Sequence, residues 1–220
     1  LTDLINDDKL FNPESSVNFE NLSIFKLFCK QMNDHNLNNA ILHAINMNYI
    51  KIIEYYIDHL NELDNESLSE AFIKDALCKS FMIKSKNDKL FNLLFDNFLK
   101  LKPKYFSHSL FMQLLKSSCE FDNLLTTKKI TELILKEKTN EDLTVPFIEA
   151  SSSGSTDICN YFIDKKVCIN YYNLLDDISK LCSIDVKIFE VIFNNITPNL
   201  RYKCLECIKY AIVYKNKQLI

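Results

Sequence analysis

The sequence predicts an all-α fold, an α-solenoid of stacked helix-turn-helix units, and three observations predict it. A turn followed by apolar residues at about +4 and +5, then at about +7, +8 and +9, recurs along the chain. In two of its copies an alanine stands four residues before the turn, Ala44 before Asn48 and Ala150 before Gly154. A helix pair of this kind cannot bury its apolar face alone, so similar neighbours must stack on it.

The clearest copy is Val145–Asn170, VPFIEASSSGSTDICNYFIDKKVCIN. Pro146 suits a first helical turn, where its missing N–H has no partner to lose and its fixed φ already fits. Gly154, the only glycine of the chain, can enter a left-handed conformation at no steric cost, which a C-cap between two antiparallel helices requires. Ile158, Cys159, Tyr161, Phe162 and Ile163 are then the expected buried stripe of the second helix, with Asp157, Asn160, Asp164 and Lys165 opposite. The same pattern follows Glu20, Asn48, Lys86, Thr126 and Ile184, and begins once more at Asn216. With Gly154 these seven anchors are spaced by 28, 38, 40, 28, 30 and 32 residues.

The unit Val145–Asn170 resembles one ankyrin repeat: Pro146 opens the first helix, Ala150 packs it, Gly154 turns it and the stripe around Phe162 fills the second. Thr144 stands one residue ahead of the usual Thr-Pro start, and the anchor spacing averages close to the ~33-residue ankyrin period. Asn48 and Asn216 can take the left-handed turn, since asparagine tolerates it. Lys86, Thr126 and Ile184 suit it less, and remodelled turns are expected there. The resemblance implies a single ankyrin-like domain over residues 1–220, about 6–7 degenerate repeats, working as a non-catalytic scaffold or adaptor that binds another protein; Leu1 in place of an initiator Met and a last helix cut at Ile220 lead to the expectation of a longer chain. It places the partner surface on the inter-repeat loop tips, Thr139–Thr144 and Lys166–Asn173, with Tyr171, Tyr172, Asn140 and Asp142 as binding residues. Tyrosines are enriched at binding hot spots, which singles out Tyr171 and Tyr172.

Taken in order, Leu1–Glu20 is polar and mixed, and is expected to cap the open end of the stack. A helix near 22–31 follows, the run Asn33-Asp34-His35-Asn36 turns the chain, and a pair is expected at 38–47 and 49–60. Ser67-Leu-Ser-Glu70 matches a capping box at the head of a helix over 68–84. Its partner, 87–101, stops before Pro103, because the residue preceding a proline is pushed out of helical geometry. Helices near 106–118 and 128–138 flank a loop from Ser117 to Thr127, and the central unit comes next. Tyr171–Cys182 pairs with 185–195. Thr197-Pro198 then opens a last helix near 199–214 with Leu205, Ile208, Ala211 and Ile212 on one face.

Composition narrows the function. A formal net charge of -3 and a pI near 5.9 argue against a nucleic-acid partner, whose footprint is a basic domain or stripe. The cluster Lys100, Lys102, Lys104 reads as a solvated helix end. No run reaches the ~18 apolar residues of a membrane span, and no signal core follows the N-terminus. Eight cysteines scattered through a helical chain, several at stripe positions, read as buried reduced thiols of a cytoplasmic or nuclear protein, or of host cytosol for a viral or bacterial factor. The glycosylation patterns at Asn21, Asn65 and Asn195 matter only in a secreted chain.

Catalytic and cofactor motifs are lacking. One glycine cannot build a phosphate-binding loop, and Ser151–Ser155 lacks the strand-turn-helix setting of a hydrolase nucleophile. Asp176-Asp177 and Glu141-Asp142 are neighbours in sequence and so do not face each other on a helix. His35, His43, His59 and His108 are dispersed. Cys204-Leu-Glu-Cys207 has the spacing of a zinc knuckle or redox pair but no second pair to complete it. Neither a cofactor nor a metal is expected. Two other readings stay open: a structural subunit of a larger complex, and a Cys-dependent metal or redox protein built on Cys204 and Cys207.

Overall fold

The computed structural model describes residues 22–60, 69–82, 88–101, 103–176 and 186–213. Among them the chain is all-helical, with no β-strand, and it divides into two compact units, Leu1–Ser107 and His108–Ile220. The first unit holds α1 (Leu22–Phe28), α2 (Asp34–Asn46), α3 (Ile50–Asp58), α4 (Glu70–Met82) and α5 (Asp88–Leu101), followed by a 3-10 turn at Pro103–Tyr105. The second holds α6 (His108–Glu120), α7 (Leu124–Glu137), α8 (Thr144–Ser152), α9 (Thr156–Asp164), α10 (Tyr171–Asp176), α11 (Val186–Asn195) and α12 (Arg201–Val213). The anchors Glu20, Lys86, Ile184 and Asn216, the N-terminal stretch Leu1–Glu20 and Ser67 of the capping box lie outside the described residues.

Three hairpins, α2/α3, α6/α7 and α8/α9, close with the same turn. A left-handed residue sits at its apex: Asn48 (φ 58°), Asp122 (φ 54°) and Gly154 (φ 79°). Each donates its N–H three residues back, to Ile45, Cys119 and Ser151. The residue after it, Tyr49, Asn123 or Ser155, donates five back, to Ala44, Ser118 and Ala150, at 2.9 Å in every case. These two bonds are the Schellman closure, and they satisfy carbonyls that the helix end leaves open. The residue whose carbonyl takes the longer bond is small and fully buried each time, Ala44, Ser118 and Ala150. That explains the alanine offset in the sequence.

The turn expected at Thr126 lies instead at Asp122, and Thr126 is helical. A stripe with a 3.6-residue period looks alike after a four-residue slide, and threonines on the buried face of α7 disguised where the stripe begins. The loop expected from Ser117 to Thr127 shrinks accordingly to three residues, 121–123. The run Asn33-Asp34-His35-Asn36 is likewise not a turn: Asn33 caps α2, its Oδ1 accepting the Asn36 N–H at 2.8 Å. The cap that α4 shows is Ser69, whose Oγ accepts the Phe72 N–H at 3.1 Å.

Counted from the left-handed residue, the positions buried in all three second helices are +4, +5 and +8: Ile52, Ile53 and Tyr56; Thr126, Thr127 and Ile130; Ile158, Cys159 and Phe162. Position +9 is buried at Ile57 and Thr131 and half-buried at Ile163. Position +7 does not belong to the stripe. Tyr55 and Tyr161 are half-buried, and Leu27, expected inside, is 67% exposed. At about 100° per residue, +7 falls on the flank of a stripe centred between +4, +5 and +8.

Within each unit the helices pack as two layers. In the first, α2 lies on α4 while α1, α3 and α5 pack in succession. Its core is a chain of rings, Tyr56–Phe72–Phe98 on one side and Phe81–Phe91–Phe95–Phe106 on the other, with centroids 4.9 to 6.3 Å apart. In the second unit α6, α8, α10 and α12 succeed one another in one layer and α7, α9 and α11 in the other. Contacts between the α6/α7 and α8/α9 hairpins recur at a constant offset. Lys116 meets Glu149 at 3.3 Å, Glu132 meets Lys165 at 3.6 Å and His108 meets Glu141 at 2.8 Å, each pair 33 residues apart. The Ser153 hydroxyl donates to the Cys119 carbonyl at 3.0 Å, 34 residues away. Ion pairs that solvent still reaches contribute little energy; their common spacing reports the offset between these two hairpins.

On α12 the expected apolar face is described only at Leu205, the side chains of Ile208, Ala211 and Ile212 lying outside the described residues. Leu205 is 59% exposed, whereas Lys203 and Cys204 are buried. Lys203 reaches back over the Tyr172 ring of α10, its Nζ 3.4 Å from the centroid, as a lysine does when it buries its stem and sets its ammonium on an aromatic face.

Candidate functional site

The loops that leave α7 and α9, residues 138–143 and 165–170, run side by side and form the edge on which the expected binding residues lie. Asp142 and Cys168 form an isolated parallel bridge, and the Leu143 N–H donates to the Cys168 carbonyl at 2.9 Å. Thr144, the first residue of α8, ties the two loops together. Its N–H donates to Asp142 Oδ1 at 2.9 Å, its hydroxyl donates to the same oxygen, and its Oγ1 accepts the Asn170 N–H at 2.7 Å. The threonine one residue ahead of the Thr-Pro position is thus a buried knot between successive loops. Asn170 in turn caps α10, its Oδ1 accepting the Asn173 N–H at 3.2 Å.

The four expected binding residues are placed differently from one another. Asn140 is exposed at the tip of the first loop. Asp142 has one carboxylate oxygen committed to the head of α8. Tyr171 is half-buried and its phenol is pushed up by that burial, while Tyr172 is 51% exposed with one ring face occupied by Lys203. The edge therefore offers Asn140, the exposed Asp142 and the open face of Tyr172 to solvent, with Tyr171 half-buried beneath them.

Sequence reasoning missed the cluster on the same loop. His108, at the start of α6, bonds Glu141 through Nε2, and Lys138 approaches the other carboxylate oxygen at 3.4 Å. The hydrogen bond from His108 first, then the charges of His108 and Lys138, hold the Glu141 carboxyl below its ordinary range. Neither residue carries a motif; the only signal was the 33-residue separation. The adjacent pair Glu141 and Asp142 divides as expected of sequence neighbours, one carboxylate on His108 and the other on Thr144.

The remaining sequence candidates fall elsewhere. Cys29, Cys119, Cys159 and Cys204 are buried, Cys78 is half-buried, Cys168 is exposed, and all six are free thiols. Burial pushes the Cys119 thiol far up and the Cys159 thiol to about 11, so both stay protonated and inert. Burial also raises Cys204, with Arg201 opposing. Cys182 and the side chain of Cys207 lie outside the described residues. No group of three His, Cys, Asp or Glu residues among the described ones is placed to hold a metal. Lys104 sits over the Tyr105 ring, 5.0 Å from its centroid. His59 stacks on Tyr55 and bonds its carbonyl at 2.9 Å. Ser151, Ser153 and Ser155 spend their hydroxyls on backbone carbonyls, on Cys159 and on each other. No helix among the described residues is long and apolar enough to cross a membrane.

Comparison with protein-family models, with curated proteins and with solved structures gives no match.

Proposed function

We propose that this chain is a non-catalytic interaction module, an α-solenoid of degenerate ankyrin-like hairpins that binds another protein, and neither nucleic acid nor membrane, along the edge formed by its inter-hairpin loops. The observation that carries the reading is the α6–α9 segment. Two hairpins with one and the same closing turn meet through contacts offset by 33 residues, and their exit loops run in parallel. A stack built this way turns successive loops toward one side, where exposed side chains are free for recognition. The dispersal of the histidines and the spent state of the hydroxyls and carboxylates around Thr144 leave no assembled nucleophile and base on that edge.

Photo-crosslinking tests it. A photoreactive side chain placed at Asn140 or Tyr172 is expected to crosslink a partner protein, and the same group at Asp157 or Asp164, on the exposed face of α9, is expected to give none. Crosslinks from Asp157 and Asp164 with silence at Asn140 and Tyr172 would move the binding surface off the loop edge and remove the reading.

A further inference from the structure

We propose that α7 is the opening element of the second unit, a helix docked more weakly than α9 and able to leave α6 as a local unit. The three closing turns allow position-by-position comparison of the second helices. At +4, +5 and +8, where α3 places Ile52, Ile53 and Tyr56 and α9 places Ile158, Cys159 and Phe162, α7 places Thr126, Thr127 and Ile130, and Thr131 follows, also buried. Only one of these hydroxyls is satisfied: Thr127 Oγ1 lies 2.9 Å from Ser118 Oγ. The Oγ1 atoms of Thr126 and Thr131 are buried with no hydrogen-bond partner, and a buried hydroxyl left so is destabilising.

The opposite face compounds the conflict. Phe121 and Leu125, four residues apart across the turn, are 41% and 60% exposed, so the hairpin keeps hydroxyls inside and large apolar groups outside. On α9 the Tyr161 hydroxyl also lacks a partner, but it comes with the apolar area of a ring that Lys128 and Lys165 approach at 5.5 and 6.0 Å. What holds α7 is the Asn123 cap, whose Oδ1 accepts the Thr126 N–H at 3.0 Å, the buried Ile130 and Ile134, and the Glu132–Lys165 pair. Segments in which local choices contradict the packing are the ones that open at low free energy. Release of α7 would bring Ile130 and Ile134 to the surface beside Phe121 and Leu125, a contiguous apolar face absent from the closed form.

Amide hydrogen exchange of the whole chain, read by mass spectrometry at neutral pH, tests this. The amides of α7 are expected to exchange at least about ten-fold faster than those of α9, the ratio that one unsatisfied hydroxyl supplies. The double variant Thr126→Val, Thr131→Val keeps the side-chain shape and is expected to slow α7 by about ten-fold or more while α9 is unchanged. A reverse variant, Ile130→Thr, is expected to speed α7 alone, and it reads out even if the valine pair perturbs folding. Equal protection of α7 and α9 in the wild type, or α7 exchange indifferent to both variants, overturns the proposal.

Discussion

Truncating Phe162 to alanine tests the packing on which every functional statement rests. Phe162 is fully buried in α9, its ring 6.4 Å from Phe147 of α8 and 5.8 Å from Tyr161, and its carbonyl accepts the Val167 N–H where the chain leaves the helix. A buried Phe removes roughly 150–250 Å² from water. At about 25 cal/mol per Å², and with the alanine share retained, the lost transfer term is roughly 3 kcal/mol. The cavity term brings the expected cost to about 3–5 kcal/mol, because neighbours fixed by their own packing collapse only partly. Asp164→Ala, two residues on and exposed, removes a side chain with no buried contact and is expected to change stability by less than about 0.5 kcal/mol. Urea titration followed by circular dichroism gives both values, with an unchanged slope verifying that the same surface unfolds. In a thermal melt the Phe162 variant should fall by roughly 6–20 °C, at about 2–4 °C per kcal/mol for a chain of this size. Equal losses at the two positions, or less than about 1 kcal/mol at Phe162, would refute the assignment of the core face and with it the two-layer arrangement.

Three further outcomes follow from single residues. Gly154→Ala meets nothing within 4 Å of the added Cβ, so its cost is the left-handed backbone alone, about 1–2 kcal/mol by urea titration; a neutral result would mean that the turn relaxes to another conformation. Glu141 has a folded pKa below its unfolded one, so the stability it contributes is present above the unfolded value, near pH 4.3, and is lost as pH falls through the folded value. The wild type should therefore lose its advantage over Glu141→Gln on acidification below about pH 4.3, and parallel pH–stability curves for the two proteins would contradict the His108–Glu141 coupling. Among the described thiols, exposed Cys168 should react first with a thiol reagent at neutral pH, and Cys119 and Cys159 only on unfolding, since burial keeps both protonated. Early labelling of Cys159, read by peptide mapping, would show the α8/α9 core to be open.

What the sequence made legible, and what it hid, divides on a physical line. Residues whose type is dictated by backbone geometry were readable one at a time: Asn48 and Gly154 at left-handed turns, Ala44 and Ala150 where the chain passes close, Pro146 in a first turn. Positions defined only by periodicity are readable to within one helical turn: the stripe puts the α6/α7 turn at Thr126, the structure has it at Asp122, and polar Thr126, Thr127 and Thr131 stand where the pattern calls for apolar side chains. Lys203 inside and Leu205 outside on α12 lay beyond reach, because a lysine is buried only where particular partners, here the Tyr172 ring among them, receive its ammonium. The contacts between hairpins form an intermediate case. Taken singly, Lys116, Glu132, His108, Glu141, Glu149 and Lys165 are ordinary surface residues. Paired at 33 residues they are opposite in charge, or a histidine with a carboxylate, three times within one pair of hairpins. Two hairpins related by one offset place residue i beside residue i plus that offset. Charge complementarity at that separation is therefore a sequence-level signal of how these two hairpins meet, independent of the apolar stripe and free of its one-turn ambiguity.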